Sequence, residues 1–300
     1  MLRPAIALCS SFLVVTAAQG APAIPGATQL DFAACGGMVC IPVTLADGRS
    51  HVLLLDTGNV TSWLVTDTAR TLGLKLDPIE HDGKVVAGIS RLGTQTVSLQ
   101  GRALSGKFLA LGREQAGELP PEVEGALAYT LFSEKVLQID YPHRTVRVLD
   151  AQSPSLPRPG SEMKLITFGM EGPPIVVGRG FSVDGRAVSA QIDTCYTGTL
   201  LVYDKAIAEL GLEGAAAHGQ VKYFPYTDGG VNMNEAAVES VAFGPYVLAR
   251  RPARVYFSAA GKNPVHQPDG LFEATVGNAL FAHSVVTLDF HSMKIYVQPG

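Results

Sequence analysis

Apolar residues along this chain fall in short runs and alternations, not in helical stripes. Val39, Ile41, Val43 and Leu45 are spaced by two, as are Val146 and Val148, and Ile295 and Val297. Such spacing puts alternate side chains on one face of a strand. Strands are predicted at Val39–Leu45, His51–Leu55, Thr94–Leu99, Phe108–Leu111, Val136–Ile139 and Thr145–Leu149. A second set is predicted at Ile175–Val177, Val188–Ile192, Ala236–Phe243, Ala253–Phe257, Val285–Phe290 and Lys294–Gln298. Asp47-Gly48 and Asp184-Gly185 lie between consecutive strands and are strong hairpin signals. Helix is predicted only over residues 67–73 and 204–211, with one more helical turn after Gly125 and after Gly277.

The pattern repeats. Asp47-Gly48-Arg49 and then Asp56-Thr57-Gly58-Asn59-Val60-Thr61 match Asp184-Gly185-Arg186 and then Asp193-Thr194-Cys195-Tyr196-Thr197-Gly198. Leu64-Val65 and Leu201-Val202 close the two blocks at the same offset, and Leu72-Gly73-Leu74 corresponds to Leu210-Gly211-Leu212. Near the ends, Val136 to Tyr141 aligns with Val285 to Phe290. So many collinear matches imply a tandem duplication of a unit of roughly 130 residues. The seam is residues 151–162, rich in Pro and Ser, which read as a linker or extended crossover. The fold expected is all-β: two related lobes of six to seven strands each, over residues 21–150 and 163–300, with few short helices.

Composition sharpens this. Only 17% of the 300 residues are charged, while 32 are Gly and 19 are Pro, as many short strands and tight turns require. The net charge of −4 gives no basic surface for nucleic acid. Residues 1–20 carry Arg3, an apolar run and then Ala18-Gln19-Gly20, the outline of a secretory signal. The apolar core is about 11 residues, short of the roughly 20 that span a bilayer. Export to a periplasmic or secreted location is expected, with no membrane span after cleavage. Beyond the signal, Cys35, Cys40 and Cys195 remain. Cys35 and Cys40 are near neighbours and are expected to form a small disulfide loop, leaving Cys195 free as a buried small hydrophobe or a redox-sensitive thiol. The seven histidines lack ligand spacing, and no metal or other cofactor is expected.

Each Asp-Thr pair follows an apolar strand. A carboxylate leaving a buried strand into a tight turn is held by backbone N–H groups, and an adjacent Gly permits close approach. Two such turns related by the repeat would set two carboxylates face to face. Two carboxylates so placed share a proton, so one can act as base and the other as acid.

These residues resemble the aspartic proteases of the pepsin-like and retropepsin-like kind, in which two carboxylates share one proton. The resemblance spans about residues 38–298. It is carried by Leu55-Asp56-Thr57-Gly58 with Trp63, by Ile192-Asp193-Thr194, and by Thr275-Val276-Gly277-Asn278 late in the second lobe. In the first lobe Ala128 stands where the family has Gly. The resemblance implies an exported endopeptidase acting on peptides or unfolded protein. Asp56 and Asp193 would be the catalytic pair, water the nucleophile, and Thr57 and Thr194 a grip between the two loops. It also implies a flap near residues 81–94 around Gly88, and a matching hairpin with Tyr226, Asp228 and Gly229. Both half-sites lie in one chain, so a monomer is expected. Cys195 replaces the Gly expected after Thr194, which keeps a second reading open: a lapsed relative that binds extended peptides or a partner in the same cleft.

Overall fold

The computed structural model describes residues 29–99, 101–117, 119–151, 156, 160–167, 174–224, 231–257 and 271–300. The predicted signal at 1–20 lies outside these residues, as do much of the seam and Tyr226, Asp228 and Gly229.

The first half contains β1 (Gln29–Asp31), β2 (Ala33–Cys35), β3 (Met38–Thr44), β4 (Ser50–Asp56) and β5 (Ser62–Val65), then α1 (Thr66–Thr71). It continues through β6 (Asp77–His81), β7 (Lys84–Leu99), β8 (Arg102–Leu111), β9 (Gly125–Ala128), β10 (Lys135–Asp140) and β11 (Thr145–Asp150). The second half opens with β12 (Ser161–Thr167), β13 (Pro174–Val183), β14 (Arg186–Ile192) and β15 (Leu200–Val202), then α2 (Asp204–Glu209) and α3 (Glu213–Ala217). It ends with β16 (Gln220–Phe224), β17 (Val231–Phe243), β18 (Tyr246–Phe257), β19 (Ala274–Val276), β20 (Ser284–Asp289) and β21 (Lys294–Pro299). Single 3-10 turns, Tyr129–Phe132 and Asn278–Phe281, follow β9 and β19.

The fold is all-β and the two halves have the same topology. One sheet runs β2-β3-β4-β9-β5-β8-β7-β6, and the other contains β12-β13-β14-β19-β15-β18-β17-β16. In each, the Asp-bearing strand pairs parallel with the late strand: β4 with β9, and β14 with β19. The second sheet then continues through β21, β20, β10, β11 and β1, giving 13 strands against 8 in the first. The first sheet has 8 strands where six to seven per lobe were expected, and the second is longer still because the β10–β20 pairing adds β10, β11 and β1 of the first half to it.

Local sequence explains the repeated features. Asp184 and Gly185 form a two-residue turn at positive φ of 49° and 78°, with Val183 opposite Arg186. That turn matches the twist of a hairpin. The two Leu-Gly-Leu triplets are helix stops: Gly73 and Gly211 have φ of 69° and 62°. The following Leu74 and Leu212 donate N–H bonds back to Ala69 and Ile207 at 3.0 and 2.9 Å. Gly tolerates this left-handed position where other residues would be strained.

The core is continuous across the halves and includes Leu137, Ile139, Leu288, Phe181 and Phe281. Each such side chain contributes about 1.5–3 kcal/mol on burial. Nine strands, β1, β2, β5, β6, β9, β12, β15, β16 and β19, were not predicted, and β12 begins inside the expected seam. The turn expected after Gly125 starts later, because residues 125–128 extend to pair with β4 first.

Candidate active site

Asp56 ends β4, and Asp193 directly follows β14. Both chains then turn back at once. The Gly58 N–H donates to Asp56 Oδ1 at 3.1 Å. On the other side the N–H groups of Cys195 and Tyr196 donate to Asp193 Oδ1 at 2.8 and 3.2 Å. Backbone donors therefore fix one oxygen of each carboxylate.

The two turns are locked by their threonines. The Thr57 N–H donates to Thr194 Oγ1 at 3.0 Å, and the Thr194 N–H donates to Thr57 Oγ1 at 3.1 Å. Each hydroxyl in turn donates across to the opposite strand: Thr57 to Ile192 O at 2.8 Å, and Thr194 to Leu55 O at 2.5 Å. Both threonines are buried, so water cannot replace these bonds cheaply. The residues joined are 137 apart, the offset of the repeat itself.

The lock brings the acids together. One ligand-type atom from each of Asp56, Asp193 and Cys195 lies within 4.8 Å of the others. Gly58 lies flat on Asp193: a Cβ there would be 2.5 Å from its Cγ. The equivalent position on the other side is Cys195, whose Sγ is 3.8 Å from Leu55 O and beside Asp56. The site is thus symmetric in backbone and asymmetric in side chain.

Electrostatics follow from this crowding. Burial, and then repulsion from Asp193, pushes Asp56 up to about 7. Burial also raises Asp193, opposed by the N–H groups of Cys195 and Tyr196. Burial pushes the Cys195 thiol well up, and the two carboxylates push it further. The pair therefore holds a proton at pH values where ordinary carboxyls have lost theirs.

A cavity of about 630 Å³ opens onto both aspartates. Leu54, Trp63, Leu111, Leu119 and Pro120 form an apolar wall, with Gly36 and Met38 at one edge. Trp63 is buried beside the Cys35–Cys40 disulfide, which the structure contains as expected. That disulfide closes the β2–β3 hairpin, whose tip Gly36-Gly37 has φ of 57° and 91°. Asn278 ties the tip to the site: its Nδ2 donates to Gly37 O at 3.2 Å and to Thr194 O at 2.5 Å. The Tyr141 hydroxyl donates to Asn278 Oδ1 at 2.6 Å.

The residues expected at the catalytic pair and its support, Asp56, Thr57, Gly58, Asp193, Thr194 and Cys195, come together in this one place. Gly88 does not line the cavity. The hairpin around it turns at Asp82-Gly83, and Gly88 sits behind the wall against the Gln115 amide. That wall is supplied by Leu111, Gln115, Ala116, Leu119 and Pro120. Tyr226, Asp228 and Gly229 lie outside the described residues. Sequence reasoning quoted Asn278 in the late motif but gave it no role, and it missed the Gly36-Gly37 tip and the wall of Leu111, Gln115, Ala116, Leu119 and Pro120. For Asn278 the available signal was its place after Val276-Gly277. That Cys195 stands beside the pair was expected, but not that its Sγ and the two carboxylates lie close enough to form a ligand set.

No protein-family model matches the sequence, and no curated protein matches it. Among solved structures, the chain is similar to basic 7S globulin from soybean, at 10% identity and a TM-score of 0.48, covering 91% of this chain and 94% of that one. A likeness of that size carries no inference about chemistry.

Proposed function

We propose that the chain is an exported aspartic endopeptidase, similar to the pepsin-like and retropepsin-like enzymes, that hydrolyses peptides or unfolded protein. Water held between Asp56 and Asp193 gives a proton to the ionised carboxylate and attacks the peptide carbonyl. The protonated carboxyl donates to the carbonyl oxygen as it gains charge. No covalent intermediate forms and no cofactor is needed. Thr57 and Thr194 act by holding the two turns in register, since small displacements of acid and base are costly in rate. The observation that carries this reading is the meeting of a buried carboxylate, Asp56, and a half-buried one, Asp193, across reciprocal threonine bonds at the mouth of a cavity. The disulfide suits an oxidising compartment. No helix among the described residues is long and apolar enough to cross a membrane. Both are compatible with a periplasmic or secreted protein, and one chain supplies both half-sites, so a monomer suffices.

The test is cleavage of a mixed peptide library from about pH 3 to pH 7, the range of the shared proton. Asp56→Asn and Asp193→Asn are each expected to lower the rate by on the order of 10³-fold or more. Cleavage that survives both substitutions overturns the assignment. Cys195 favours one second reading, a lapsed relative that binds extended peptides in the same cavity. Peptide binding without cleavage at any pH supports that alternative, and Cys195→Gly then asks whether the thiol silences a working pair.

A further inference from the structure

Cys195 adds to the aspartate pair a ligand of a different chemical kind. Thiol and carboxylate oxygens within 4.8 Å of one another are near the spacing of a tetrahedral metal site. Zinc bonds of about 2.3 Å to sulfur and 2.0–2.2 Å to oxygen set neighbouring ligands roughly 3.5 Å apart. Closing the remaining gap is left to the three side chains, whose torsions are the free variables of the site. The backbone is already fixed, because the threonine bonds lock both turns. The site also opens to the cavity, which leaves an entry path and room for a fourth ligand such as water.

We propose that Asp56, Asp193 and Cys195 form a binding site for one thiophilic divalent cation, Zn²⁺ above all. Thiolate selects zinc or cadmium over magnesium and calcium, which prefer oxygen ligands in larger number. Ligation displaces the thiol proton and the proton shared by the carboxylates. On the hydrolase reading above, on which this one consequence rests, the loaded protein is inactive because the cation occupies the place of the attacking water. Gly58, the counterpart of Cys195, offers no ligand, so the third ligand comes from one side only.

The test is a binding measurement and needs no turnover. Metal-free protein is titrated with Zn²⁺ and with Mg²⁺ by calorimetry, and with Co²⁺ by absorbance. The expected result is one Zn²⁺ per chain, little Mg²⁺ binding, and a near-ultraviolet thiolate-to-Co²⁺ band. Cys195→Ser and Asp193→Asn each weaken Zn²⁺ binding by at least about tenfold, and the band disappears in Cys195→Ser. Thermal melts check that both near-isosteric variants are folded, and a second pair, Cys195→Ala and Asp56→Asn, stands in for either that is not. Zinc binding that is unchanged in the folded variants, or absent at about 100 μM Zn²⁺ (weaker than −5.5 kcal/mol), overturns the site. If the metal-free protein cleaves no peptide yet binds zinc through these residues, the hydrolase reading fails and the metal site stands.

Discussion

Asp56 is held in its acid form by burial and by its neighbour, and this has a consequence for stability. Its native pKa, about 7, lies above the unfolded value of 3.8, so the native state binds the proton more tightly. Stability is then fullest below about pH 4 and declines as pH climbs toward 7. Asp56→Asn removes the cost of charging the group, and is expected to stabilise the protein at pH 7.5 by about 1–3 kcal/mol while leaving it little changed at pH 4. Chemical denaturation at the two pH values measures this; a variant less stable than the parent at pH 7.5 contradicts it. Gly58 makes the opposite demand. A Cβ would overlap the Asp193 carboxyl, so Gly58→Ala is expected to cost about 1–3 kcal/mol and to disturb the pair. Both aspartates, both threonines and Gly58 were legible in the sequence, because an apolar strand followed by Asp-Thr occurs twice at one offset. The contact between Cys195 and Asp56 was not, since a residue two positions from one acid reaches the other only through the fold.

The β2–β3 hairpin is closed by the disulfide and anchored by Asn278. By loop-closure entropy, a bridge over so short a segment contributes roughly 2 kcal/mol. Cys35→Ala with Cys40→Ala is expected to lower the melting temperature by a few degrees. It should also raise hydrogen exchange at Met38 and Val39 more than at β20. Equal exchange at both places would mean that the hairpin is not held locally. Asn278→Ala should loosen the same tip and also strip the Thr194 carbonyl of a donor. Elements of this kind were only partly legible. Long alternating strands such as β3 and β11 declared themselves, and so did the short helix after each Leu-Val pair. Gly125–Ala128 did not, since Gly, Ala and Leu carry no strand signal. Those residues extend because β4 lies on one side and β5 on the other, and Gly125 lets the Trp63 carbonyl approach.

At the scale of the molecule, the two halves are joined by main-chain pairing as well as by the site. Gln138 lies opposite Thr287 in the β10–β20 ladder, and its amide donates to the threonine hydroxyl at 3.1 Å. These two residues are equivalent positions of the repeat, as are Thr57 and Thr194, so both contacts fall on one approximate twofold axis. With a continuous sheet and a shared core, unfolding is expected as a single calorimetric transition, not one per half. Two resolved transitions would show that the halves are energetically separate. The duplication was legible at this scale, but the shared sheet was not, because pairing between halves leaves no mark on either sequence alone. That axis also bears on how the protein could change. Were the site built from two identical subunits, each gene change would arrive on both sides, and a thiol at one carboxylate would be matched by a thiol at the other. Once fused and duplicated, the copies mutate separately. Residues on the axis stay bound to their own counterparts, while one flank can acquire new chemistry as the other keeps the bare glycine that the pair requires.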